Sequence, residues 1–273
     1  MPELSELHGP RGTVRIAAAQ ACPVPGDVVR NVATVAASIR EAAANGAQLV
    51  VFPEKFLCGY EPDLVAADPA GLAVSADDPR LDPIAEACRD SGTAAVVGAV
   101  SADGGGLAIS VFVFSRAGSV AGRYDKQFLF GSETGLYRPG TRDCTLDLDG
   151  WRLGLGICYD SGFPEHAATV AADGCHAYLL SALFSVGNGY QESRTWLPDR
   201  ARDNGLYVLM ANHVGHTGGW HACGSSAVWG PDGTVLAEAG PEATELVYAD
   251  LDPAACGATA ADGASLRPAL LLS

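Results

Sequence analysis

The chain has 273 residues, 48% of them apolar and 18% charged, with a formal net charge of −15. That length and balance can bury a large core, which excludes intrinsic disorder, and the acidity sets aside nucleic acid and anionic membrane surfaces as partners. The eight cysteines are scattered and none forms a CxxC pair, so they read as reduced thiols of a cytoplasmic protein rather than a disulfide framework.

The first twelve residues, "MPELSELHGPRG", read as a flexible polar tail without the apolar core of a signal peptide. "TVRIAAAQ" is a buried strand. Val28, Val32, Val35 and Ile39 recur at helical spacing, and Gly46 closes that helix. "AQLVVFPE" is a second buried strand, 79–91 a helix, and "AAVVGAVS" a third strand. "DGGG" at 103–106 reads as a flexible loop before a strand; no helix follows, which argues against a phosphate cradle. "LAISVFVFSRAGSVAGRYDK" predicts a hairpin turning at Arg116-Ala117-Gly118. "WRLGLGICYD" is a strand, 164–173 a helix, and "HAYLLSALF" a strand. Residues 191–204 read as partly helical, with Pro198 expected near a helix start. "LYVLMANHVG", "GSSAVWG", "TVLAEAG" and "ELVYADLD" supply the last strands, and 253–265, rich in Ala and Gly, leads in weak order to "LRPALLL". No apolar run approaches the ~20 residues of a membrane-spanning helix.

Near-continuous apolar strands imply burial on both faces and a layered α/β architecture. "VFVFSRAGSVA" (111–121) echoes "AVWGPDGTVLA" (227–237), with Gly118 matching Gly233, which suggests a pseudo-symmetric sandwich. No interdomain linker is evident, so one domain is expected after the tail.

Three polar residues stand where buried strands run out: Glu54 after "LVVFP", Lys126 after "GSVAGRYD" and Cys158 after "LGLGI". Strand ends are where open α/β folds place reactive groups. A thiol needs a base before it attacks a carbonyl, and a carboxylate made basic by apolar walls can serve. An ammonium and the Tyr159 backbone N–H can hold the resulting oxyanion. Together they support acyl transfer through a thioester. Taken singly, each has an ordinary explanation as a buried thiol, a surface acid or a solvated lysine, so the combination carries the reading.

"LVVFPEKFLCGY", "YDKQFLFGSETGLYRPG" and "GLGICYDSGFPE" resemble the three signature segments of the nitrilase superfamily of carbon–nitrogen hydrolases. "DRARDNGLYVLMANHVG" and "GSSAVWGPDGTVLAEAG" resemble its second half, so the likeness spans about 13–252. The resemblance implies a four-layer α-β-β-α sandwich over 13–273, with neither metal nor organic cofactor, that pairs into a homodimer or a higher homo-oligomer. It assigns Glu54 as general base, Lys126 as catalytic lysine and Cys158 as nucleophile. Glu133, together with Tyr60, Tyr159, Phe184 and Trp196, is assigned to binding and orienting a small amide. The branch resembled is that of short aliphatic amidases, including those acting on ω-amino amides; N-carbamoyl amides and nitriles are alternatives for the same apparatus.

The chain also departs from the family pattern. Gly162 stands in "SGFPE" where relatives often carry arginine, which weakens any inference to carboxylate-bearing substrates. Lys55 follows the base where an apolar residue is more usual, and is expected to point to solvent. Trp196 stands in a segment lacking the family's "GxxHW". An acidic rim of Asp160, Glu165 and Glu133 is one expectation for binding a cationic tail; the other is that Asp160 and Glu165 are structural. "HVGHTGGWHAC" groups His213, His216, His221 and Cys223, but reads better as a loop over the active-site mouth than as a zinc site. Cys58 is expected to be a packed thiol. Two other readings remain: a Cys-His-Asp hydrolase with an elbow at "GICYD", and a binding protein that kept the fold without the chemistry.

Overall fold

The computed structural model of the chain describes residues 9–256 and 266–273. In chain order the first half runs β1 (Val14–Gln20), α1 (Val28–Ala44), β2 (Leu49–Val51), α2 (Pro62–Ala67), α3 (Pro69–Leu72), α4 (Asp82–Ser91), β3 (Ala94–Asp103), β4 (Gly106–Phe114) and β5 (Val120–Asp125). The second runs β6 (Thr145–Leu148), β7 (Trp151–Ile157), α5 (Pro164–Ala172), β8 (Ala177–Ala182), α6 (Asn188–Asn204) and β9 (Tyr207–Asn212). It continues through β10 (Val214–Thr217), β11 (Trp220–Cys223), β12 (Ala227–Trp229), β13 (Val235–Glu238), β14 (Glu245–Leu251) and β15 (Leu270–Leu271).

Among the described residues two large sheets form, ordered β14-β1-β2-β3-β4-β5 and β13-β12-β9-β8-β7-β6-β15, and β10 with β11 makes a separate two-stranded ribbon. Each large sheet has the same plan: three parallel strands, an antiparallel hairpin on one side and an antiparallel neighbour on the other. The sheets face each other, β1 against β9 and β2 against β8. Helices α1 and α4 pack together over the first sheet, and α5 and α6 over the second, giving the four-layer α-β-β-α sandwich. Coverage on both faces explains the apolar runs: β7, β8 and β9 are buried along their whole length. On α1 the periodic Val28, Val32, Val35 and Ile39 are all buried, Asp27 caps the start through Arg30 N–H, and Gly46 follows the end at φ +81°.

The two echoing segments are equivalent hairpins. Gly118 donates to Ser115 O and Gly233 to Gly230 O, at φ +76° and +82°. Both ladders bulge near the turn, at Val113/Phe114 and at Val228/Trp229.

Several sequence expectations change. Pro198 lies inside α6, which starts at Asn188; burial of Leu197 and Ala201 holds the helix through the missing amide. "DGGG" is the turn of the β3–β4 hairpin, in which Asp103 pairs with Gly106. Strands β6 and β15 were not expected. The end of the N-terminal tail is tied down, Arg11 N–H donating to Asp149 O and Trp151 Nε1 to Gly12 O. Residues 1–8 of that tail, and 257–265 of the Ala/Gly-rich stretch, lie outside the described residues. Among the described residues no helix is long and apolar enough to cross a membrane.

Candidate active site

The chain leaves β2 through Phe52-Pro53, where Phe52 N–H still bonds Val96 O, and delivers Glu54. That exit lies directly on β3 at Gly98, where an added Cβ would stand 2.0 Å from Pro53 O, so only glycine fits. Lys126 is the first residue past β5 and Cys158 the first past β7. Lys126 Nζ donates at 2.8 Å to Glu54 Oε1 and at 2.8 Å to Glu133 Oε1. Tyr60 O–H donates to Glu133 Oε1 at 2.6 Å, and Phe130 N–H to Glu133 Oε2 at 2.7 Å. Glu54, Lys126 and Glu133 are all buried.

Burial separates the two carboxylates. Loss of water pushes Glu54 up to about 7, against the pull of Lys126. Glu133 suffers burial too, but Lys126 and the Tyr60 hydroxyl hold it below the ordinary carboxylate value. Of a pair sharing one lysine, Glu54 is therefore the group able to take up a proton near neutrality. Burial also lowers Lys126, yet the charges of Glu54, Cys158 and Glu133 outweigh it and raise the lysine, which keeps it an ammonium. Burial, and then the Glu54 charge, push the Cys158 thiol well above its usual value. Cys158 is thus a thiol that needs a base, not a standing thiolate.

Cys158 sits in a left-handed conformation, φ +43°, which costs a non-glycine residue about 1–2 kcal/mol. Its surroundings fix that turn. Asp160 Oδ2 accepts from Ile157 N–H at 2.9 Å and Tyr124 O–H at 2.7 Å. Asp160 Oδ1 accepts from Phe128 N–H at 2.8 Å and Gln127 N–H at 3.2 Å. Ser161 Oγ donates to Cys158 O, and Arg200 Nε to Ser161 O. One buried carboxylate therefore ties the lysine loop to the cysteine loop. Tyr124 spends its proton on Asp160, so it accepts from His166 Nε2–H, while Tyr178 O–H donates to His166 Nδ1. This corrects the rim expectation: Asp160 is structural, Glu133 is committed to Lys126 and Tyr60, and Glu165 is exposed in the first turn of α5. Lys55 is corrected as well. It is buried, with Nζ 3.3 Å from the centroid of the Tyr60 ring.

The thiol opens into a pocket of about 280 Å³, at the border between the two sheets, lined by Lys126 and Cys158. Its walls are aromatic: Tyr60, Phe130, Tyr159, Phe184, Trp196 and Trp220. Every residue expected to orient substrate lines it except Glu133, which reaches it through Lys126 and Tyr60. Cys158 Sγ donates to Leu183 O at 3.3 Å, and Asn212 pins the Phe184 backbone from behind. A Cβ on Gly162 would lie 3.2 Å from the Trp196 ring, so the indole takes the room beside this glycine. Glu192, at the exposed mouth, is the pocket carboxylate that sequence reading missed; only the packing of α6 tells which of its acids faces inward. A larger cleft of about 530 Å³ lies elsewhere, with Arg123 and Arg138 paired to Asp103 and Asp125.

The histidines go elsewhere. His213 is buried, its Nε2 2.6 Å from Glu54 O, and His216 stacks on His221 with ring centroids 4.3 Å apart. Among the described residues no histidine hydrogen-bonds the Cys158 thiol, as a Cys-His-Asp triad requires, and no group of three or more His, Cys, Asp or Glu side chains has the geometry to hold a metal. The β10–β11 hairpin brings Trp220 to the mouth. Cys58 is buried, its Sγ directed to Lys55 O and Gly59 O.

Residues 15–261 match the carbon–nitrogen hydrolase family model. A Pseudomonas protegens hydrolase from the pqqF 5' region is 34% identical over 88% of this chain and 83% of its own length. The omega-amidase NIT2 of Homo sapiens is 30% identical over 81% of this chain and 83% of its own. Among solved structures, a mutant amidase from Nesterenkonia sp. AN1, carrying the acetamide moiety of fluoroacetamide on its active-site cysteine, superposes with a TM-score of 0.81. It is 32% identical and covers 91% of this chain and 94% of that one. The strand-end site, the four-layer sandwich and these likenesses agree: the chain belongs to the carbon–nitrogen hydrolase family, within the amidase-like branch of the nitrilase superfamily.

Proposed function

We propose that the protein hydrolyses the C–N bond of a small amide through a thioester on Cys158, releasing ammonia and a carboxylic acid. The observation that carries this is the Glu54–Lys126–Glu133 chain of hydrogen bonds, with Lys126 opening onto the same pocket as Cys158. Glu54 takes the thiol proton as sulfur bonds the carbonyl carbon. Lys126 has three N–H donors and spends two on carboxylates, which leaves one for the oxyanion beside the Tyr159 N–H. The C–N bond breaks as Glu54 returns its proton to the departing nitrogen. Glu54 then takes a proton from water, whose oxygen bonds the thioester carbon; the sulfur leaves and recovers that proton. Intact-mass analysis with a slowly turned-over amide is expected to show one acyl adduct, on Cys158; an adduct on another cysteine sinks the scheme.

The narrow aromatic walls favour a short acyl chain. A mutant of the Nesterenkonia amidase forms a complex with butyramide, which makes butyramide the natural first probe. At the far end Glu192 offers a carboxylate to the tail, while Lys126 is already paired. That arrangement supports neutral and ω-amino amides over ω-carboxylate ones. A panel of these amides with N-carbamoyl compounds and nitriles, scored by ammonia release, tests the order. Preference for ω-carboxylate amides removes Glu192 from the account without touching the chemistry.

A further inference from the structure

The reaction just described leaves unused the buried charged group next to its base. Lys55 directly follows the base, at φ +49°, and this left-handed turn swings its side chain inward instead of out to solvent. Its side chain is wholly buried, and Nζ has no hydrogen-bond acceptor. An ammonium stripped of water is costly unless something replaces the lost hydration. Here the replacements are two aromatic faces. Nζ lies 3.3 Å from the centroid of the Tyr60 ring and 5.0 Å from that of Tyr137. The hydroxyl of that same Tyr60 donates to Glu133 Oε1.

Charge counting gives the arrangement a purpose. Glu54 and Glu133 are two buried anions, and Lys126 is one cation hydrogen-bonded to both. With Lys126 alone, ionising both carboxylates leaves the buried cluster at −1. Lys55 brings it to zero. We infer that Lys55 is a positioning cation of the active site, held on the face of Tyr60, that keeps the Glu54–Glu133 pair doubly ionised and so keeps the base ready. The other titratable groups around it are Cys58, Tyr60, Tyr137 and His213. Burial holds Cys58 at about 11 and drives Tyr60 and Tyr137 upward, so all three stay neutral. Burial brings His213 down to about 4, so it is neutral as well. Burial also lowers Lys55, while Glu54 and Glu133 pull it back toward the charged form.

This inference rests on Glu54 being the base, and its test separates the two ideas. In the unmodified protein, kcat/KM for butyramide should fall on the acid side as Glu54 protonates; a profile without that limb overturns the base, not Lys55. Given the limb, Lys55→Met is expected to move it upward by about one pH unit, a further loss of roughly tenfold at a pH below the limb. Lys55→Arg, which keeps the charge, should leave the limb in place. A lysine that only fills space would lower kcat or the melting temperature in both variants without moving the limb, and that result overturns the inference. Should Lys55→Met not fold, nitrogen-15 NMR of Nζ in the unmodified protein decides. An ammonium at neutral pH supports the role and a neutral amine ends it.

Discussion

β1 and β7 enter their sheets alike. Val14-Arg15-Ile16 and Trp151-Arg152-Leu153 each open the first of three parallel strands, and each strand has an antiparallel neighbour, β14 or β6. Their exits differ. β1 runs out through Ala21 to Cys22, an exposed thiol followed by Pro23. β7 runs out to Cys158, held at φ +43° by the acceptors of Asp160. After Cys22 the buried Asn31 holds both backbone groups of Val24 and donates to Leu57 O, but among the described residues no carboxylate takes the amide before Cys22 as Asp160 takes that of Ile157. A cysteine thus stands near a strand end in both halves, but only the one whose turn is held by a buried carboxylate opens into the pocket, beside Lys126.

The sharpest way to break that comparison is to remove each thiol in turn. Cys158→Ala is expected to lower kcat for ammonia release by about 10³-fold or more, because the proposed covalent step disappears. Cys22→Ala should stay within about twofold. Equal losses in the two variants would mean that the braced turn confers nothing.

The brace itself comes next. In Asp160→Asn one oxygen becomes an NH2 group that must face two donors, whichever way the amide is turned. A lost charge-assisted acceptor is worth about 1.5–3 kcal/mol, so the variant should melt lower by several degrees and lose roughly ten- to a hundredfold in kcat. A folded variant with full kcat would show that Cys158 keeps its turn without the acid.

The acid limb is a smaller effect with a definite sign. Glu54, the proposed base, can act only when ionised, and burial raises it from the ordinary carboxylate range to about 7 in the folded protein. The kcat/KM profile should therefore drop about tenfold per pH unit below pH 7, not below 4.5. Cys158 and Lys126 both titrate above their usual values, so no alkaline fall is expected near neutrality.

What the sequence made legible follows from where each group's environment is written. Glu54, Lys126 and Cys158 end apolar runs, so their burial at strand exits is local information. The hairpins at Gly118 and Gly233 announce themselves by turn chemistry. Lys55 was misread because a lysine beside an acid suggests solvent, and nothing local shows that two tyrosine rings will lie against its ammonium. Asp160 was offered as a rim charge because three of its four donors come from 124–128, more than thirty residues away in the chain. Glu192 and Pro198 sit on α6, whose inward face is set by packing on β9 and β12 and not by any strong periodicity of its own.

The two hairpin glycines give the smallest and most direct test of how far the halves match. Both have positive φ, so alanine at either costs about 1 kcal/mol in backbone strain alone. The neighbours differ. At Gly118 a new Cβ would lie 2.3 Å from Ala85 O and 2.9 Å from Arg89 Cβ, both fixed in α4. At Gly233 it would lie 2.8 Å from Pro198 O and 3.0 Å from the Nη2 end of Arg202, an exposed side chain that can swing away. Overpacking against fixed atoms adds about 1–3 kcal/mol. Gly118→Ala, with two fixed contacts inside 3.0 Å, is thus expected to cost about 2–4 kcal/mol, and Gly233→Ala, with only the Pro198 carbonyl inside 3.0 Å, about 1–3 kcal/mol by denaturant unfolding. Gly118→Ala should carry the larger kinetic penalty too, since its hairpin ends on Lys126 whereas that of Gly233 ends outside the pocket. Equal stability losses would mean that α4 yields as readily as the Pro198 carbonyl and the arginine tip of α6, and that the first hairpin is no more tightly seated than its twin.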